Sequence, residues 1–276
     1  MGLFGRNVEL NGCLPLKNWR KIAIGTWTKP NDAQMLGRVD LDVTEILKFL
    51  EQKSKESGYK ITPTHFIVKA VGLVLEHNPD LNSPISWKKI YLRKNVDIFT
   101  HVATGEDGRD LSGIRLANVN KKSIAVIAEE VSNKAKKIKA NHDELLGKSK
   151  KMMQLVPWFM MDHLLNFISF FQFTLNLSPK IFGLPKDAFG SAMVTSLGQN
   201  DVEFGIGPLV PWSRVPLIVM VGRIQEKAIV KNGEIVKAPI MALGVTLDHR
   251  HVDGFIASKM VELSKEAAKD PWKFFN

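Results

Sequence analysis

Segments with helical spacing and segments with strand spacing are interleaved along this chain, without the strict strand–helix–strand alternation of a doubly wound parallel sheet. That pattern confines it to a layered α+β architecture with a mixed sheet flanked by helices. Val39, Leu41 and Val43 alternate as in a strand, and a helix follows with Thr44 as its expected N-cap and Gly58 as its stop. A Thr-Pro start, apolar residues at 67, 68, 71, 74 and 75, and a stop at Asn78-Pro79 predict a second amphipathic helix. Lys89 to Ala103 is β-like, GEDGRD is a turn, and residues 121 to 151 read as one long basic helix. After Gly190 short apolar runs of β type dominate: AMVTSLG, VPLIVMVGRI, KAIVKNGEIVK and IMALGVTLDHR. Lys231-Asn232-Gly233 is a hairpin signal, and Phe255 to Ala268 reads as a closing helix before Pro271.

Composition narrows the partners. With 276 residues, 45% hydrophobic and 24% charged, the chain has an ordinary globular make-up that excludes disordered, collagenous and low-complexity classes. A single cysteine, Cys13, excludes a disulfide framework within the chain and a zinc site built on paired thiolates. A reducing, cytoplasmic setting is therefore expected. The start, MGLFGRNVEL, has no apolar signal run and carries Arg6 where a myristoylation motif wants Ser or Thr. A net charge of +10 favours an anionic partner: nucleic acid, anionic lipid or a phosphate-rich cofactor. The basic helix at 121 to 151 has no interleaved aromatics, so nucleic acid is not the expected one.

The string with most chemistry in it is VTLDHRHVDGF, residues 245 to 255. A strand ending in His249, followed four residues later by Asp253-Gly254 at a turn, can place an imidazole in a cleft while the carboxylate fixes the loop. Two readings fit this spacing: a general base, or a structurally satisfied histidine beside an ordinary Asp-Gly turn. His251 completes a His-x-His pair, but no cysteine or third histidine lies near enough to fill a ligand set, so no metal is expected.

LDHRHVDG resembles the HxxxDG signature of the acyltransferase catalytic domains of 2-oxoacid dehydrogenase complexes, which the chloramphenicol acetyltransferases share. Further blocks follow in the same order. LPLKNWRKIAIGTWTKPNDAQMLGRVDLDVTEI resembles the family's opening helix and strand, and HFIVKAVGLVLEHNPDLNSPI its next helix and turn. VDIFTHVATGEDG resembles its channel strand, and FGSAMVTSLG and VPLIVMVGRI its hydroxyl strand and buried strand. The resemblance implies acyl transfer from or to coenzyme A without a covalent enzyme intermediate, with coenzyme A as a substrate and no metal. His249 would be the general base and Thr195, with Ser196 beside it, the oxyanion donor; the family most often has Ser at the first of these places. Asp253 would support the loop, paired with Arg20 or, as the alternative, Arg250, and Gly254 completes the motif. The resemblance also implies a homotrimer or a multiple of trimers with the active site between subunits.

Departures from the family pattern are expected to matter. The chain reads as one acyltransferase catalytic domain over 1–276 with an insert at about 150–188, and no lipoyl or subunit-binding domain or lipoyl attachment site is expected on it. Its acceptor would then be a separate lipoylated protein or another thiol or hydroxyl. GRDLSGIRLANV replaces the usual channel segment, with Ser112 and Gly113 near the usual proline, and Pro211 to Pro216 replaces the family's Asn-Pro-Pro stretch. Within the insert, polar residues at 162, 163, 166, 169, 172 and 176 fall on one helical stripe between Pro157 and Pro179, with bulky apolar residues elsewhere. Two placements are open for that helix. It could lie on an anionic membrane surface through Trp158, Phe159, Phe167, Phe170 and Phe171, helped by Lys134, Lys136, Lys137, Lys139, Lys148, Lys150 and Lys151, or be buried against the domain or a neighbouring subunit. Crossing the bilayer is not expected, because Asp162, His163, Asn166 and Gln172 make it costly. The competing function is a non-catalytic trimeric scaffold that uses the insert to bind membrane or a partner.

Overall fold

The computed structural model describes residues 4–13, 33–104, 110–140, 145–147, 155–157, 160–179 and 185–275. Its centre is a six-stranded sheet in the order β3-β11-β10-β9-β6-β7. Here β3 is Gln34–Asp42, β6 is Ile98–Thr104 and β7 is Asp110–Leu116; β9 is Ala192–Ser196, β10 is Leu217–Lys231 and β11 is Glu234–Asp248. β9 runs parallel to β10 and to β6, and the other pairings are antiparallel, so the sheet is mixed, as the sequence pattern requires. Two small sheets flank it. One pairs β1 (Phe4–Arg6) with β8 (Leu177–Pro179), and the other joins β2 (Leu10–Cys13), β4 (Ile85–Ser86) and β5 (Lys89–Arg93).

Strand alternation sorts side chains onto two faces. Ile98, Val194, Val219 and Leu243 enter the main core with Ile46 and Phe49, Phe66 and Ile67, Ile124 and Ile127, and Met260. These come from α1 (Thr44–Ser57), α2 (Pro63–His77), α3 (Ile124–Lys139) and α5 (Gly254–Lys269), which together cover one face; α6 (Pro271–Phe275) adds Phe275. The residues one step along, Phe99, Met193 and Ile218, form a second cluster on the opposite face with Phe189, Leu209 and Val215. The segment after β9 crosses this second face closely enough that a Cβ on Gly222 would stand 1.9 Å from the Glu203 carbonyl oxygen, and one on Gly244 1.8 Å from that of Gly205. Glycine is what lets that chain lie flat on β10 and β11.

Local signals explain the element ends. α1 stops at Gly58, whose φ of +72° is the left-handed cap conformation. Its start differs from expectation: Thr44 is the first helical residue rather than the cap, and its hydroxyl donates to Asp42 at 2.5 Å. α2 opens with the Thr62 N–H donating to His65 Nδ1 at 3.1 Å and closes at Asn78. Asn232 and Gly233, with φ of +55° and +86°, make the two-residue turn of the β10–β11 hairpin.

Two expectations are corrected. The basic helix that starts at Ile124 ends at Lys139, not 151; Ala140 caps it, Leu145 and Leu146 are in a turn and Gly147 is helical, with 141–144 and 148–154 outside the described residues. The insert is not one helix from Pro157 to Pro179. It is α4 (Met161–Ser169), a π-helical turn over Phe170–Thr174, and then β8. Nor does its polar stripe face one way. His163 and Asn166 are exposed, whereas Ser169 and Gln172 are buried, and Phe167 and Phe170 stand 48% and 42% exposed. The reason is Arg214, which donates to Ser169 Oγ at 3.1 Å, to Thr174 Oγ1 at 2.8 Å and to the Ile85 carbonyl at 3.0 Å. It draws the polar side inward and turns the aromatic side out. Phe171 is half-buried and packs on Phe167 at 4.6 Å between ring centroids, while Trp158 and Phe159 lie outside the described residues. No helix among the described residues is long and apolar enough to cross a membrane.

Candidate active site

β11 ends at Asp248, and His249 is the first residue of the turn that follows. Its backbone N–H donates to the Ala33 carbonyl at 2.7 Å, continuing the β3–β11 pairing one step past Asp248–Gln34. Its Nδ1 stands 2.7 Å from the Val252 carbonyl oxygen. A carbonyl only accepts, so Nδ1 carries the proton, and in the neutral ring Nε2 is then the nitrogen with the lone pair. The imidazole is thus held in the tautomer able to take a proton at Nε2.

The rest of the turn is held by ionic and backbone bonds. Arg250 grips Asp248 with its Nε at 2.9 Å and an Nη at 2.6 Å, and its backbone N–H reaches the same carboxylate at 3.0 Å. Burial pushes the Asp248 carboxyl up, but the Arg250 hydrogen bonds and the neighbouring charges of His251 and Arg250 bring it below the usual carboxylate range. Arg250 is therefore committed to Asp248 and is not the partner of Asp253, which corrects the alternative expected from sequence. Asp253 instead caps α5, accepting from the Ile256 N–H at 2.9 Å, with Gly254 as the first helical residue. Arg20, the other expected partner, lies outside the described residues. His251 is buried, with Nδ1 3.1 Å from both Ser83 Oγ and the Asp80 carbonyl, so the two histidines of the His-x-His pair take separate partners. Arg214 stands close enough to Arg250 that burial and that neighbouring charge bring its pKa down to about 10.

Thr195 sits elsewhere. It is the fourth residue of β9, half-buried, beside Met220 of β10, and its side chain has no hydrogen-bond partner among the described residues; Ser196 follows, also half-buried, beside Val221. Met220 in turn lies opposite Gly244, five residues short of His249. At about 3.4 Å per residue and about 4.8 Å per strand, His249 and Thr195 of one chain are close to 20 Å apart. One chain does not bring the two together around a single reacting atom. Of the expected departures, Ser112 is buried in β7, and Gly113 lies under the Phe99 ring, 2.0 Å from where a Cβ would stand.

Sequence reasoning passed over Asp248 and Arg214. Asp248 stood within the motif string, and Arg214 within the altered Pro211 to Pro216 stretch, but nothing local marks either as buried.

Against this geometry the comparisons with known proteins are specific. Residues 14–149 and 186–276 match the 2-oxoacid dehydrogenases acyltransferase (catalytic domain) family. The dihydrolipoyllysine-residue acetyltransferase component of the pyruvate dehydrogenase complex of Bacillus subtilis (strain 168) is 27% identical over 236 residues, covering 84% of this chain and 44% of that protein. The chain spans about half the length of the curated relatives it matches. Among solved structures, a probable dihydrolipoamide acetyltransferase of Listeria monocytogenes 4b F2365 superposes with a TM-score of 0.64 at 21% identity over 94% of both chains. The cubic core of a pyruvate dehydrogenase multienzyme complex does so with a TM-score of 0.64 at 18% identity, over 95% of this chain and 93% of that one. A match that starts ahead of β3, takes in the sheet and both of its flanks, and closes over the His249 turn and α5 places this chain in the 2-oxoacid dehydrogenase acyltransferase catalytic-domain family.

Proposed function

We propose that this protein transfers acyl groups between coenzyme A and a thiol or hydroxyl acceptor, with His249 as general base and Thr195 of a neighbouring subunit as oxyanion donor. The observation that carries the reading is the Nδ1 bond to the Val252 carbonyl, which makes Nε2 the basic nitrogen of the neutral ring. The acceptor S–H or O–H gives its proton to Nε2 as its sulfur or oxygen bonds to the thioester carbonyl carbon. The carbonyl electrons move to oxygen, and the Thr195 hydroxyl donates to that oxyanion. Collapse breaks the carbon–sulfur bond, and the imidazolium returns the proton to the departing coenzyme A thiolate. No step needs a metal or an acyl-enzyme.

The separation of Thr195 from His249 within one chain supports a closed oligomer, trimeric as the family resemblance implies, with each site shared by two subunits. A separate lipoylated protein fits as acceptor. The decisive experiment follows thiol release from C2, C4, C8 and C16 acyl-coenzyme A, with and without free dihydrolipoamide, on wild type and His249→Ala. Loss of release by at least about a hundredfold in the variant is expected; release that survives the substitution, or none from wild type with any donor, overturns the reading.

A second reading, a scaffold seated on an anionic membrane through the insert, has one observation in its favour: Phe167 and Phe170 point outward beside the exposed Met160 and Leu175. Sedimentation with phosphatidylserine vesicles, lost in a Phe167→Asp/Phe170→Asp variant, would support it, and wild type left in the supernatant would end it.

A further inference from the structure

We propose that Met220 determines the acyl specificity of this centre: its thioether walls the acyl side of the oxyanion site and admits only short chains. This rests on the reading of Thr195 as the oxyanion donor. β9 and β10 are parallel neighbours in which Ile218 stands beside Met193, Val219 beside Val194 and Met220 beside Thr195. Partners in register on adjacent strands point to the same face, with the strands about 4.8 Å apart. Met220 therefore flanks Thr195 on the face opposite the helices, where it packs on the cluster that contains Met193 and Ile218.

The thioether is hemmed in on its far side. Met220 lies opposite Gly244 of β11, which has no side chain, and the Gly205 carbonyl oxygen takes that space, 1.8 Å from where a Cβ of Gly244 would stand. The crossing segment then follows the thioether closely. A Cβ on Gly207 would stand 2.3 Å from Met220 Cε and 3.2 Å from its Sδ, and one on Gly205 would stand 3.9 Å from that Sδ. A methionine side chain ordinarily adapts to its surroundings. Here its way towards β11 is closed by backbone, so a group placed beside Thr195 meets a wall rather than a side chain that can swing aside.

The chemistry brings a substrate carbon to that wall. An oxyanion donor stands about 2.7–3.1 Å from the oxygen it stabilises. One carbon–oxygen and one carbon–carbon bond further on, the first carbon of the acyl chain is about 4–5 Å from Thr195 Oγ1, within contact of a neighbour one strand away. Two groups leave the carbonyl carbon, the acyl chain and the sulfur of coenzyme A. The pantetheine arm behind that sulfur carries amides that need polar partners when buried, whereas the β10 flank offers the apolar side chains of Met220 and Ile218. The acyl chain is the group that suits this flank. An acetyl group ends at its first carbon, and each further methylene must share the space that the thioether fills.

The test is a chain-length series on the full chain, reading kcat/KM for transfer from acetyl-, butyryl- and hexanoyl-coenzyme A to free dihydrolipoamide. Wild type is expected to fall on the order of tenfold or more from acetyl to butyryl. Met220→Ala, which removes the side chain beyond Cβ, is expected to raise the butyryl-to-acetyl ratio on the order of tenfold or more, through faster butyryl transfer rather than slower acetyl transfer. Met220→Val, whose side chain suits a strand, is expected to shift the ratio less in the same direction and serves as the readout if the alanine variant is poorly folded. Met220→Leu keeps the volume and is expected to leave the ratio within about threefold of wild type. A ratio unchanged in both the Ala and Val variants, a loss by one common factor for all donors, or a wild type that prefers hexanoyl would overturn the proposal while leaving Thr195 in place. Full activity of Thr195→Ala would instead overturn the oxyanion-donor reading and this proposal with it.

Discussion

The two ends of the proposed active centre are built in opposite ways. At the His249 turn nearly every polar group is bound: Nδ1 to Val252, the backbone N–H to Ala33, Asp248 to Arg250, Asp253 to the first turn of α5. At the end of β9 the Thr195 hydroxyl has no hydrogen-bond partner among the described residues. The difference follows from the tasks. A base must keep one tautomer throughout the cycle, so its other nitrogen is tied down, whereas an oxyanion donor must meet a charge that exists only in the transition state and is best left unspent until then. Because the register sets these two ends close to 20 Å apart by about 3.4 Å per residue, each can be stabilised or left open without disturbing the other.

The strongest way to break this comparison is complementation between subunits. His249→Ala and Thr195→Ala chains, each nearly inactive alone, are unfolded together, mixed in equal amounts and refolded. If each site takes its base and its donor from different chains of a trimer, random mixing restores about a quarter of wild-type activity, because about three quarters of trimers are mixed and each has one intact site. No recovery above the sum of the separate samples, from mixed oligomers shown to contain both chains, would put base and donor in one chain and contradict the strand register.

Next in size is the Asp248–Arg250 pair. Asp248→Asn removes the charge beneath a buried guanidinium and is expected to cost about 3–5 kcal/mol in urea unfolding. The pH dependence has a definite sign. The folded pKa of Asp248 lies below its unfolded value, so its contribution is whole above about pH 4 and is lost as pH falls through the lower folded value. Wild type should therefore lose stability below about pH 4 more steeply than Asp248→Asn. Parallel acid curves would show that the pair does not hold the turn. Thr195→Val tests the other end: a loss of 10²–10³ in kcat, about 2.7–4 kcal/mol, with an unfolding midpoint no lower than wild type, since no hydrogen bond is removed. A marked loss of stability there would mean the hydroxyl is already engaged.

How much of this was legible in the sequence depends on the range of the interaction. The α+β class, the hairpin at Asn232-Gly233, the stop at Gly58 and the α2 core face at Ile67, Val68, Val71, Val74 and Leu75 are set by neighbours a few residues apart, and each was readable from spacing and turn chemistry. The HxxxDG string was readable as a family signature. The end of α3 at Lys139 was passed over because the weak helix formers Asn141 and Asp143 and the glycine at 147 were outweighed by the run of lysines that continues the basic face. The insert misled because its polar stripe suggested water as the partner, whereas Arg214, some forty residues further on, draws Ser169 and Thr174 inward. Thr100 and Val194, the residue before Thr195, are adjacent only through a parallel pairing across more than ninety residues, and no local period encodes a register of that length.

The smallest expected effect sharpens what Asp253 contributes. Its carboxylate accepts from the Ile256 N–H at 2.9 Å, a cap that asparagine can also make. If capping is its whole role, Asp253→Asn should leave stability and kcat within a few tenths of a kcal/mol of wild type, while Asp253→Ala should cost about 1 kcal/mol. If instead Arg20 pairs with the charge, as the family resemblance implies, Asn and Ala should be equally damaging, and Arg20→Gln should reproduce the loss without adding to it. Because α5 starts one residue after Asp253 and Val252 supplies the carbonyl that holds Nδ1, loosening this cap displaces the base. Its effect should therefore appear in kcat for acetyl-coenzyme A before it appears in the unfolding midpoint.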